Sequence, residues 1–281
     1  VELTLKLAIG NEIDAAARPL HAGSALVFGL LALGASVLHL GRPHLAFRAV
    51  IGLRHSWLSR EILAFGLFAP LAAAYAVISH SRCLTGAGPA AGLPPAISTL
   101  TALLGAAVVL TGLAGVGCSV MVYAVTRRDF WSAPATAVRF LLTTLLLGTA
   151  AAMVTATFGA RWESPATERL APWMIALAAC KLAFESLVFR HLRDRQHTAL
   201  KRTALLMTGE LSRVTFARFG LGLIGGALLP VLLLTADAAE FSFQAAVVVA
   251  AFAAVFAGEL LERYLFFTAV VRRKMPGSLM G

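Results

Sequence analysis

The stretch FSFQAAVVVAAFAAVFAGELLERYLFFT, residues 241–268, is an apolar run with Glu259, Glu262 and Arg263 set in its second half. A hydrocarbon layer roughly 30 Å thick is crossed by about 20 helical residues, and this run exceeds that length without a Pro or a turn signal. It lacks the ten-residue alternation of a membrane barrel strand, so a helix is the spanning structure that satisfies its backbone. Runs of the same character lie at 21–40, 60–79, 97–125, 132–157, 170–189 and 216–236, which makes seven spans in all. The expected fold is an all-α, polytopic transmembrane helix bundle, a single integral membrane domain over residues 1–281 with small residues at the helix contacts. Composition agrees: 59% hydrophobic, 14% charged and a mean hydropathy of +0.81 stand far from a soluble average of roughly 25% charged.

The charges are lopsided, 24 Lys and Arg against 14 Asp and Glu for a formal +10. Nucleic-acid binding would gather the basic residues on one solvated face or tail. Here nearly all of them sit in short gaps between apolar runs, which excludes a nucleic-acid partner and points to the lipid bilayer. With seven spans, the connections after the first, third and fifth, the tail, and the span ends beside them hold 16 basic residues. The opposite face holds 5, and Arg139, Lys181 and Arg263 within spans complete the 24. By the positive-inside rule the first face is cytoplasmic and Val1 lies outside.

The connections differ in kind. His80 to Pro95, with GAGPAAGLPP, reads as a loop, whereas Arg190 to Arg218 is basic and partly periodic, as expected of an amphipathic helix on the membrane surface. Cys83, Cys118 and Cys180 show no CxxC spacing and are expected to be packing residues, with no Cys-ligated metal and no disulfide framework. Val1 is not a Met, and Val1 to Arg18 lacks signal-peptide order, so the numbering is expected to begin inside a longer gene product.

An ionisable residue in mid-membrane costs about 2.5–3.5 kcal/mol on insertion scales, so each one marks a site or a partner. His39 ends the first span and Glu61 opens the second; Arg139, Lys181, Glu185, Glu259, Glu262 and Arg263 occupy later ones, all from the midplane toward the basic face. Lys181 with Glu185, and Glu259 with Arg263, are four apart and can share a helix face, as structural pairs or as a site. Glu61 differs: its own-helix neighbours Ala64 and Phe65 cannot neutralise it, so it must find a partner on another helix or exchange protons. Of the seven histidines, only His21 and His39 border a span, at opposite ends of one helix, so no haem is expected.

Two segments resemble a known family. HLGRPHLAFRAVIGLRHSWLSREILAFG, His39 to Gly66, is similar to the membrane anchors of dimethyl sulfoxide reductase and its relatives, in which HLG-x-P-x-x-A-F is followed after a short loop by L-S-x-E-I. AGELLERYLFF, Ala257 to Phe267, is similar to the family's last helix with its GEL-x-x-R core. The resemblance implies an eight-helix subunit without a redox cofactor of its own. Such a subunit anchors a molybdopterin catalytic subunit and an iron–sulfur electron-transfer subunit in the bacterial cytoplasmic membrane, and exchanges electrons with ubiquinone or menaquinone. Matched residue by residue, it implies that His39 and Glu61 serve quinol binding and deprotonation, and that Glu259 and Arg263 support the pocket. Set against that family, the sequence is expected to lack the first of the eight helices.

In the dimethyl sulfoxide reductase branch the partner subunits lie on the periplasmic side, whereas here the quinone-site face carries the 16 basic residues. That orientation resembles the sulfite dehydrogenase branch, in which electrons run from sulfite to quinone; arginine contacts to an acidic partner are the competing explanation of the charge. The expected site has His39 on one quinone carbonyl and Glu61 moving a proton. Arg42 or Arg60 biases the pocket, Tyr123 and Trp131 line the ring's approach, and Arg139, Lys181 and Glu185 support it. A dimethyl sulfoxide reductase-type anchor oxidising quinol, and a solute or ion transporter, are the rival readings.

Overall fold

The chain is described by a computed structural model at residues 11–38, 51–84, 95–159, 166–235 and 240–271. Among these residues every regular element is helical. They comprise α1 (Asn11–Leu38), α2 (Trp57–Leu84), α3 (Pro95–Ala124), α4 (Ala133–Gly159), α5 (Ala166–Ser186), α6 (Ala199–Thr208), α7 (Ser212–Leu223), α8 (Leu229–Thr235) and α9 (Phe241–Thr268). Short 3-10 turns at Asp129–Trp131 and Leu187–Arg193 and a π turn at Ile224–Leu228 complete them. The expected loop from His80 starts late, because α2 runs on to Leu84, and its remainder lies outside the described residues.

Among the described residues six helices are long and apolar enough to cross a membrane: Trp57–His80, Ala96–Ala124, Ala133–Gly159, Thr167–Arg193, Ser212–Thr235 and Phe241–Thr268. The expected seven, or eight with a preceding helix, is therefore an overstatement for these residues. The difference is the expected span 21–40: it falls in α1, whose front half carries Asn11, Glu12, Asp14, Arg18 and Pro19, and residues 39 and 40 lie outside the described ones. Exposure is reversed relative to a soluble protein. Val77 and Leu110 are 68% and 67% exposed while Lys181 and Arg218 are 0% and 1% exposed, the arrangement of a surface solvated by lipid. Thr101, Thr111 and Thr149 donate to carbonyls one turn back on their own helices at 2.7–2.8 Å, so their hydroxyls need no partner from the bilayer.

The chain forms two compact units, Val1–Val122 with Ala151–Arg169, and Tyr123–Ala150 with Leu170–Gly281. In the first, α2 and α3 run antiparallel, because Glu61 meets Ser119, Phe65 meets Gly115 and Phe68 meets Gly112 as one chain number rises and the other falls. Phe65 lies where a Cβ on Gly115 would sit, 2.6 Å from its ring. The Phe68 ring touches Gly112 on α3 and also Gly29 on α1, where a Cβ would come within 2.7 Å. Tyr75, Ala76 and Ala22 close the layer beyond, packed by Leu26, Leu104 and Val108.

In the second unit α7 and the π turn pass between α5 and α9. Leu182 faces Gly222 and Ala178 faces Gly226 on one side; Gly258 faces Gly222, and Ala254 faces Gly225, on the other. Small residues on both sides let the backbones approach. The π turn has a local cause: Pro230 has no N–H to donate to Gly226 four residues back. The ladder widens instead, and the Leu229 N–H reaches back to the Ile224 carbonyl.

The basic stretch expected as one surface helix over Arg190 to Arg218 is instead divided among the end of the 3-10 turn at Arg193, the ten-residue α6 and the start of α7. Thr203, Ala204 and Met207 are buried, and Arg202 and Leu205 face outward. Thr198 caps α6 by accepting the Lys201 N–H at 3.1 Å. Asp194 braces the preceding turn through His191, and that hydrogen bond holds its carboxyl below the usual carboxylate range.

The seam makes a testable statement. Gly226→Ala should destabilise the protein by about 1–3 kcal/mol through overpacking, and Ala178→Gly should restore much of the loss, read by thermal unfolding in detergent. Gly225→Ala, whose Cβ would meet the Ala251 oxygen and Val255 nitrogen at 2.8 Å each, should have no such single-residue rescue.

Candidate functional site

Two groups of polar side chains are built into the apolar helices, one in each unit. In the first unit, Ser56 precedes α2 and accepts the Ser59 N–H at 3.2 Å, capping the helix. Ser59 is 7% exposed and sits against Gly52, where a Cβ would come within 2.7 Å of its hydroxyl. Arg60 then folds back on this turn, donating to the Leu53 and Arg54 carbonyls at 2.9 and 3.0 Å and stacking 4.2 Å over Trp57. Glu61 therefore emerges from a rigid corner, half-buried, with its Oε1 accepting a hydrogen bond from the Ser119 hydroxyl of α3. Ser119 is the partner on another helix that the isolation of Glu61 within α2 requires. The result is a carboxyl of fixed position near the end of a helix pair, able to give or take a proton.

In the second unit, Lys181 and Glu185 of α5, Arg218 of α7 and Glu259 of α9 form a buried tetrad. Arg218 donates Nε and Nη2 to the two oxygens of Glu185 at 3.0 and 2.8 Å, and Nη2 also to Glu259 Oε1 at 2.9 Å. The Lys181 Nζ lies 3.2 Å from Glu185 Oε1 and 3.2 Å from Glu259 Oε2. It also donates to Thr143 Oγ1 and the Arg139 carbonyl of α4 at 2.8 and 3.1 Å. The four side chains are 0–6% exposed. Two cations and two anions cancel, and α4, α5, α7 and α9 each contribute to the closure. Glycines make the room: a Cβ on Gly222 or Gly258 would come within 3.0 or 3.1 Å of Arg218 Nη1.

Above the tetrad, Trp131 donates Nε1 to the Phe266 carbonyl at 2.8 Å and stacks on the Phe266 ring at 5.4 Å. Tyr123 meets Trp131, Phe140, Phe266 and Phe267 edge-on. Arg139 lies 4.0 Å over Phe130, and Arg263 lies 3.7 Å over Phe140.

The sequence-predicted residues thus separate into groups. Arg60 and Glu61 are neighbours in the first unit; Tyr123 and Trp131 join one aromatic cluster in the second, with Trp131 only 7% exposed. His39 and Arg42 lie outside the described residues. Lys181 and Glu185 pair as their spacing predicts. Glu259 does not use Arg263: it pairs with Lys181 and Arg218, while Arg263 reaches Glu262 at 3.8 Å. Arg218 is the functional residue that sequence reasoning missed, since the charge count places it among the 16 face charges. Its place inside the run 216–236, with Gly222 one turn on, was the available signal. Removing it leaves 15 against 5, the same orientation. Cys118 is half-buried and Cys180 exposed, both as free thiols. Among the described residues no group of three His, Cys, Asp or Glu side chains is placed to hold a metal ion.

A corner that presents Glu61 and a last helix that presents Glu259 and Arg263 are the two places where the family motifs fall. The chain matches the model of the DMSO reductase anchor subunit (DmsC) family over residues 5–269. It belongs to that family. A sulfite dehydrogenase subunit from Allochromatium vinosum is 32% identical over 206 residues, which cover 70% of this chain and 61% of that protein. The matched region therefore spans less than two thirds of the relative's length. No solved structure matches the chain. Membership, with the six long apolar helices, makes this chain a multi-pass membrane protein of the anchor-subunit family.

The tetrad sets a second expectation for this anchor. Arg218→Met leaves Glu185 and Glu259 sharing one lysine and should destabilise the protein by about 3–5 kcal/mol. Arg218→Lys, which keeps the charge and loses the two-pronged contact, should fall between. Thermal unfolding in detergent reads both; an Arg218→Met protein as stable as the parent sinks the assignment.

Proposed function

We propose that this anchor carries the quinone site of its complex, and that the complex passes electrons from sulfite, through the molybdopterin and iron–sulfur subunits, to ubiquinone or menaquinone. The observation that carries the reading is the Glu61 corner: a half-buried carboxyl, oriented by Ser119, in the segment that resembles the family's quinol-site motif. The choice of sulfite rests on the likeness to the Allochromatium vinosum sulfite dehydrogenase protein and on the basic majority of one face, which makes the quinone-site face cytoplasmic in the bacterial inner membrane. Reduction of a quinone takes two electrons and two protons. The electrons come from the iron–sulfur partner; Glu61 gives one proton to a ring oxygen and is recharged from the interface. His39 holds the other carbonyl and passes it the second proton, likewise drawn from the interface, and Arg60 and Arg42 favour the developing negative charge on the oxygens. Ser119 keeps the Glu61 carboxyl aimed. No haem takes part.

The family match to DMSO reductase anchors favours one alternative, the same residues working in reverse, with Glu61 accepting a proton from quinol.

In the assembled complex Glu61→Gln should lower quinone-coupled turnover by about 10²-fold, the lower range for loss of a general acid. Reduction of an artificial acceptor by the catalytic subunits should be unchanged. Ser119→Ala should cost roughly tenfold or less in the same assay. Quinone turnover and inhibitor binding unaffected by Glu61→Gln would falsify the site.

A further inference from the structure

Glu262 stands one turn beyond Glu259 on α9 and is treated differently by its surroundings. It is 4% exposed, its Oε2 accepts no hydrogen bond, and its ion-pair contact is Arg263 Nε at 3.8 Å. Glu259 and Glu185 are met by Lys181 and Arg218 within 2.8–3.2 Å, so those two cations are already engaged. The other two cations near Glu262 are drawn aside onto rings, Arg139 over Phe130 at 4.0 Å and Arg263 over Phe140 at 3.7 Å. Two buried atoms of residues that interact with it electrostatically lack a hydrogen-bond partner, Arg139 Nε on α4 and Arg218 Nη1 on α7. Arg218 Nη1 lies against the backbone of Gly222 and Gly258, where an added Cβ would come within 3.0 and 3.1 Å of it. Unpaired donors and acceptors at this depth are the setting in which internal water is held, each molecule making about three hydrogen bonds.

We propose that Glu262 is a proton-exchange site in the second unit, its carboxyl binding and releasing a proton through water held by Arg218 Nη1 and Arg139 Nε. The exchange is a bare acid dissociation, with the proton leaving to water and no electrons moved. Opposing influences make both states accessible. Burial, with Oε2 lacking a hydrogen-bond donor, favours the neutral acid; the charged groups around it are Arg139 of α4, Lys181 and Glu185 of α5, Arg218 of α7, and Glu259 and Arg263 of α9, of which the four cations favour the carboxylate and the two anions the acid. This site is in the unit that does not contain Glu61, and it does not rest on the quinone reading.

The full chain, purified in detergent, tests it by infrared difference spectroscopy across a pH titration, in H2O and D2O. A titrating carboxylic C=O stretch is expected that is absent in Glu262→Gln, retained in Glu61→Gln, and shifted in D2O as fast as the solvent is changed. If the Gln protein does not fold, Glu262→Asp should move the band without removing it. A band that survives Glu262→Gln, stays in place in Glu262→Asp, disappears in Glu61→Gln, or fails to shift in D2O overturns the proposal, as does the lack of any titrating band.

Discussion

Charge inside a hydrocarbon layer must be cancelled locally, and the second unit is organised around doing so. Arg218 is the centre of that solution because a guanidinium has enough donors to serve two carboxylates at once, which an ammonium's more diffuse geometry does less specifically. With Lys181 it closes a neutral group from side chains on α5, α7 and α9, and the hydroxyl and carbonyl of α4 complete the lysine's coordination. Each member depends on the others, since a lone buried charge costs far more than a matched set. The network therefore fixes helix rotation and depth together, whatever its net contribution to stability.

The same demand explains the glycines. A buried guanidinium needs volume, and Gly222 and Gly258 supply it where any side chain would press on Nη1. Gly225 and Gly226, next to the Pro230 break, bring the widened turn against α9 and α5. In the first unit the trade is reversed: glycines on α1 and α3 admit the rings of Phe68 and Phe65, and a polar link between Glu61 and Ser119 sits at the end of that seam. A carboxyl aimed by a hydroxyl at a helix end suits proton traffic, and a fully cancelled tetrad suits architecture.

Much of this was legible in the chain. The apolar runs gave the later spans within a few residues, and the last, 241–268, without error. The isolation of Glu61 within α2 called for a partner elsewhere, and Ser119 is it. The four-residue spacing of Lys181 and Glu185 was a true pair, while the identical spacing of Glu259 and Arg263 was not. Spacing says which groups can meet on one helix. It does not say whether a better partner waits on another, and for Glu259 two did.

Length, hydropathy and charge placement determined that this chain is a helical membrane protein, because the bilayer imposes a span length and backbone satisfaction on any sequence that enters it. The residues of the two motifs determined its family. Only the tertiary structure decided which charges belong together, because Arg218, Glu185 and Glu259 are distant in the chain and meet through helix packing. It also decided that Glu262, on the same helix as Glu259 and of the same chemistry, is left outside the cancelled set.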